Sequence, residues 1–113
     1  LPFALDMMDW MWHNGGVPQE SPHLDLLPSE YFKRQIYGCF CFERKTLKST
    51  IDQIGADNIM YESDYPHPTS MSPGPASIAV KPSQYIEEVL GDLPLETAEK
   101  ILHGNAARIY HLD

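Results

Sequence analysis

Three runs decide the architecture: Gln35-Ile36-Tyr37-Gly38-Cys39-Phe40-Cys41-Phe42, then Thr46-Leu47-Lys48-Ser49-Thr50-Ile51-Asp52-Gln53-Ile54-Gly55, then Asn58-Ile59-Met60-Tyr61-Glu62-Ser63. In the first, Ile36, Phe40 and Phe42 alternate with Tyr37, Cys39 and Cys41. Apolar side chains on both faces predict a buried strand. In the second, Leu47, Ile51 and Ile54 recur at three-to-four spacing, which predicts a helix, and Gly55 suits its C-terminal cap. The third returns to strand character. The 15 residues 43–57 between the two strands suit a helical crossover and exceed a tight hairpin, so the pair is expected to be parallel and right-handed. The unit is βαβ.

Upstream, Leu1, Ala4, Leu5, Met8, Met11 and Trp12 mark one face of a helix that ends at Asn14-Gly15-Gly16. Trp10, Trp12, Met7, Met8 and Met11 form a bulky cluster on it, suited to packing against a barrel or a partner subunit. Pro18, Pro22 and Pro28 make 17–28 a loop, with a helical turn at Ser29 to Lys33. Downstream, Tyr65 to Lys81 is proline-rich and reads as a long irregular loop leaving the second strand. Pro82 to Leu90 is helical, with Tyr85, Ile86, Val89 and Leu90 facing inward. Pro94 starts a helix through Leu102, Gly104 stops it, and Asn105 caps a last helix through Tyr110.

With 113 residues and 42% hydrophobic composition the chain suffices for one domain or part of one. Sixteen acidic against eight basic residues give a net charge of −8, which disfavours a phosphate backbone as partner. No apolar run approaches a membrane span, and no signal-peptide pattern opens the chain, so a cytoplasmic setting is the default expectation. Two cysteines alternating on one strand exclude a disulfide scaffold and read as core residues. The opening Leu1-Pro2-Phe3 lies within a helical pattern, as expected of a fragment.

The residues suited to chemistry lie in Glu62-Ser63-Asp64-Tyr65-Pro66-His67-Pro68, where a buried strand ends and a loop begins. Ligands of parallel α/β folds bind at such ends. There Asp64 could hold a divalent metal or take a proton from water activated by it; it equally suits a plain turn into Tyr65-Pro66. Glu62 shares its parity and reads as a solvated or salt-bridged strand end. His67, its backbone fixed by flanking prolines, is a candidate substrate-binding residue that could equally donate a proton or ligate, and a lone loop histidine is more often a hydrogen-bonding or stacking residue than a ligand. His13, His23, His103 and His111 read as structural. His-x-His, His-Glu-x-x-His, a nucleophile elbow and a phosphate-cradling glycine loop are all absent.

The blocks Arg34-Gln35-Ile36-Tyr37-Gly38-Cys39-Phe40, Asp57-Asn58-Ile59-Met60-Tyr61-Glu62-Ser63-Asp64-Tyr65-Pro66-His67 and Ile101-Leu102-His103-Gly104-Asn105-Ala106-Ala107-Arg108 resemble the C-terminal part of amidohydrolase-related (amidohydrolase 2) proteins. That metal-dependent group includes aminocarboxymuconate-semialdehyde decarboxylase. The resemblance implies an α/β fold, the C-terminal portion of a (β/α)8 TIM barrel over 1–113. Leu1 to Asn14 would be the sixth helix, Gln35 to Phe42 the seventh strand and Asn58 to Ser63 the eighth.

It further implies a hydrolase or decarboxylase acting on a small polar or carboxylated substrate. Asp64 matches the family's strand-eight aspartate, which ligates the metal, expected to be zinc, or takes a proton. The family's other metal ligands have no counterpart here, so this chain alone is expected to be inactive and to retain metal weakly. The alternative is a non-catalytic partial-barrel interaction module. An unfinished barrel exposes strand edges and apolar faces, which predicts self-association into a homo-oligomer.

Overall fold

The computed structural model describes residues 1–68, 70, 73–75 and 77–112. Its elements are α1 (Pro2–Asn14), α2 (Val17–Glu20), α3 (Pro28–Gln35), β1 (Gly38–Phe40), α4 (Leu47–Ile54), β2 (Ile59–Tyr61), α5 (Pro82–Leu90) and α6 (Leu95–Glu99). A π-helical turn (Lys100–Gly104) and α7 (Asn105–Tyr110) follow. β1 and β2 pair in parallel, Gly38 against Ile59, Cys39 against Met60 and Phe40 against Tyr61. The βαβ order therefore stands, with α4 as its crossover.

Local chemistry accounts for α4. Leu47, Ile51 and Ile54 fall on one side and are buried, and Gly55 ends the helix at φ 85° while its N–H reaches the Ile51 carbonyl at 2.8 Å. Residues with a Cβ rarely adopt that φ. On α5, Tyr85, Val89 and Leu90 are buried and Ile86 packs against the same core. Phe40 meets Tyr61 edge-on with ring centroids 5.6 Å apart, and Tyr61 stacks on Tyr85 at 6.0 Å. The Tyr85 hydroxyl donates to the Glu43 carbonyl. This face of the sheet is the core.

Several elements depart from the sequence reading. Both strands are shorter than expected, Gly38–Phe40 and Ile59–Tyr61; β1 starts late because α3 continues to Gln35 and leaves only Ile36 and Tyr37 before it. The first strand is not buried on both faces: Cys39 is exposed, and so are Ile36 and Phe42, which fall outside the paired residues Gly38–Phe40. Within the loop expected over 17–28, Val17–Glu20 forms a helical turn, favoured by Pro18 in its first turn. Gly104 does not stop a helix; its φ of −60° carries the chain through the π-turn into α7.

Asn105 consequently lies inside a continuous helical run and caps nothing. Its buried amide instead donates to the carbonyls of Ala56 at 2.7 Å and Ile59 at 2.8 Å, at the entry to β2. Asn58, also buried, donates to the carbonyls of Lys33 and Ile36, both at 2.9 Å, and so closes the open C-terminal end of α3. Arg108 completes the clamp through the Asp57 carbonyl at 2.9 Å and the Tyr37 hydroxyl at 3.2 Å. Buried backbone carbonyls need such donors.

On α1 the expected apolar face is only partly covered. Leu5 is buried and Trp12 half-buried, while Asp9 accepts from the backbone and hydroxyl of Ser29 on α3 at 2.9 and 2.6 Å. Leu1, Met8 and Met11 of that face are exposed. So are Phe3 at 79%, Met7 at 46% and Trp10 at 66%. At 100° per residue these side chains sweep most of the helix circumference, leaving Asp6, Asp9 and His13 as its polar side. A surface helix on one neighbour has a narrower apolar arc. Among the described residues no helix is long and apolar enough to cross a membrane.

Candidate active site

The parallel pairing puts the C-terminal ends of both strands at one end of the sheet, and the chain leaves each by a different device. After β1, the Glu43 carboxylate accepts from the amides of Cys41 and Phe42, each at 3.1 Å, and turns the backbone away from the ladder. After β2, the Glu62 amide still reaches the Phe40 carbonyl at 3.0 Å, so the ladder runs one residue further. The break comes at Asp64, whose φ is 56°. Aspartate is among the few residues that tolerate this left-handed conformation.

From Asp64 the chain makes a braced turn. The Asp64 carbonyl accepts from the His67 amide at 2.9 Å, and the His67 carbonyl accepts from Ser70 at 3.0 Å. The Tyr65-Pro66 peptide is cis. Ser70 is buried, and its carbonyl accepts from the Ser77 hydroxyl at 3.0 Å. The turn also brings the His67 ring back over the aspartate, with Nδ1 3.4 Å from Asp64 Oδ2. The two side chains are 60% and 50% exposed. Beside them lies an open hollow of about 230 Å³ walled by Tyr65, His67 and four prolines. Residues 69, 71, 72 and 76 of the expected Tyr65 to Lys81 loop lie outside the described residues.

Cross-strand register gathers further groups near Asp64. Cys39 opposes Met60, so Glu62 stands one diagonal step along on the same face. Partial desolvation raises the Cys39 thiol pKa above its ordinary value, and the neighbouring Glu62 carboxylate adds to this. Cys41 is raised as well, by burial first and then by Glu43, Glu62 and Asp64. Both side chains stay protonated at neutral pH and are poor thiolate ligands. The expectation that both are core residues is corrected: Cys39 is exposed and Cys41 half-buried, because they occupy the face away from the stacked aromatic core.

Asp64 and His67 are thus brought into contact, with Glu62 and both cysteines nearby. His13, His23, His103 and His111 stand on other segments, all exposed. Among the described residues no three His, Cys, Asp or Glu side chains group to hold a metal ion. Asp64 brings one anionic oxygen here, and the described residues do not supply the further ligands a divalent cation needs. Glu43 had no signal in the sequence, since its bonds to the two preceding amides depend on a local backbone path that no spacing rule encodes.

The amidohydrolase family model matches residues 9–112. Among solved structures, the crystal structure of 5-carboxyvanillate decarboxylase from Sphingomonas paucimobilis is similar, with 30% identity and a TM-score of 0.75. The alignment covers 100% of this chain and 31% of that enzyme, so the chain spans less than a third of its length. No curated protein matches the chain.

Proposed function

The chain belongs to the amidohydrolase family, and on that premise we propose that residues 1–113 form the C-terminal portion of a metal-dependent (β/α)8 barrel enzyme. In this reading α1 is the sixth helix, β1 and β2 are the seventh and eighth strands, and α5 to α7 close the barrel. The reaction is hydrolysis or non-oxidative decarboxylation of a small polar or carboxylated substrate. The similar solved enzyme, a decarboxylase, favours the second.

One observation carries the reading. A parallel strand pair is followed, three residues past β2, by an aspartate held at φ 56°, at the end of the sheet where barrel enzymes work. The broad apolar arc of α1 supports it, since a barrel helix is flanked by a helix on each side and a sheet beneath. A bound divalent cation, with zinc our expectation, would supply Lewis-acid polarisation of a substrate oxygen. Asp64 offers an anionic oxygen to hold that cation or to take up a proton at its carboxylate. His67 lines the mouth and contacts substrate, and the prolines around it limit the shape that enters.

The test is metal content and turnover of the full-length protein with and without Asp64→Ala. The expected result is bound divalent metal in the parent, and a variant that loses metal and more than about 100-fold in turnover. Unchanged metal and turnover would overturn the assignment. A second reading, a non-catalytic module that docks on another chain, is favoured by the exposed Phe3, Met7 and Trp10. It predicts that Asp64→Ala leaves partner binding untouched and that no turnover exists to lose.

A further inference from the structure

The chain that leaves β1 is held from two sides, and both holds meet at Glu43. Its carboxylate oxygen Oε2 accepts from the amides of Cys41 and Phe42, each at 3.1 Å, and so fixes the two residues before it. Its main-chain carbonyl accepts from the hydroxyl of Tyr85 on α5, 42 residues further along. Arg44, the next residue, has its guanidinium carbon 5.4 Å from the centroid of the Tyr85 ring and its Nη1 2.7 Å from Glu88 Oε2. Tyr85 and Glu88 stand three residues apart on one face of α5, which thus grips residues 43 and 44 in succession.

The two grips differ in strength. Arg44 and Glu88 are 46% and 41% exposed, and an ion pair of that kind adds little. Tyr85 is fully buried and its ring stacks on Tyr61, so its hydroxyl is delivered from a fixed origin in the core. Burial first, with the Glu43 charge adding, pushes this phenol up to about 12, which leaves it a hydrogen-bond donor across the neutral range.

The segment so held stands at the end of the sheet where parallel α/β folds bind ligands. Phe42 is 70% exposed just beyond the paired residues of β1, and the Cys41 thiol feels the carboxylates of Glu62 and Asp64 at the end of β2. Resting on the reading that this end is the mouth of a barrel enzyme, we infer that Tyr85 is a positioning residue for its rim. The hydroxyl fixes the Glu43 main chain, and the Glu43 carboxylate in turn fixes the backbone of Cys41 and Phe42. A rim set in advance is one that substrate does not have to order on binding.

The experiment is amide hydrogen exchange of the full-length protein, read by mass spectrometry with fragmentation to single residues, for the parent, Y85F, E43A and the double variant. Y85F removes the hydroxyl and leaves the ring in the core. The expected result in Y85F is exchange at the Cys41 and Phe42 amides faster by about 3–10-fold, as for one net hydrogen bond lost, with α4 unchanged. In the double variant these two amides should exchange no faster than in E43A, because the hydroxyl acts on them through Glu43. Exchange in Y85F within about 1.5-fold of the parent would overturn the inference, as would a double variant in which the two effects multiply. Equal acceleration throughout α4 would overturn it too, since Tyr85 would then be acting on the core at large. None of these outcomes depends on metal or turnover. If D64A keeps both, the enzyme reading fails by itself, and exchange still decides the role of Tyr85.

Discussion

Two asparagines carry much of the connectivity of this chain, and neither is near the strand-end site. Asn58 and Asn105 each spend a buried amide on backbone carbonyls from distant segments, one closing α3 and the other fixing the entry to β2. Asn105→Ala leaves the carbonyls of Ala56 and Ile59 without that donor, in a place water reaches poorly. The expected loss is about 3 kcal/mol, given roughly 1–3 kcal/mol for each buried group left unsatisfied, read by urea unfolding of the full-length protein. A loss below about 1 kcal/mol would show that water replaces the amide. The sequence marked this asparagine as a helix cap, since asparagine before a short helix commonly is one. Its real partners lie 46 and 49 residues away, beyond any local rule.

Among the elements, α4 was fully legible and the strands only in outline. Helical periodicity and a terminal glycine are local signals, and Leu47, Ile51, Ile54 and Gly55 act as their spacing indicates. Gly55 combines φ 85° with ψ 167°, a region almost confined to glycine, and nothing lies within 4 Å of a Cβ placed there. Gly55→Ala is therefore expected to destabilise by about 2 kcal/mol through backbone strain alone. Gly74→Ala, equally open and without a positive φ, should change stability by less than about 0.5 kcal/mol. Equal effects, read from denaturant midpoints, would refute the backbone argument. Strand limits were less legible because apolar residues before β1 serve equally well at the end of α3, and hydrogen-bond partners decide between them.

At the scale of the whole molecule, the dominant fact is uncovered apolar surface. Phe3, Met7 and Trp10 lie on the side of α1 away from α3, and Ile36 and Phe42 flank β1. A patch of that kind marks an interface in a soluble chain. On its own the 113-residue chain is expected to self-associate despite its charge of −8. Combined Phe3→Ser, Met7→Lys and Trp10→Lys substitutions should shift it toward monomer in sedimentation velocity. A parent chain that is already monomeric at high concentration would contradict this. In the full-length protein the same substitutions should destabilise the fold, because in the proposed barrel these side chains meet neighbouring elements.

Sequence alone determined what depends on near neighbours along the chain: the βαβ order, the faces of α4 and α5, the position of Asp64 at a strand end, and the motif blocks of the family. These follow from periodicity, turn chemistry and residue order, each written within a few positions. Tertiary structure decided the rest. It showed the cysteines on the face away from the core, Asn105 as a clamp, Glu43 as the group that ends β1, and the His67 ring beside the Asp64 carboxylate. Burial and pairing are properties of what lies across from a residue, and the chain brings those partners together only on folding.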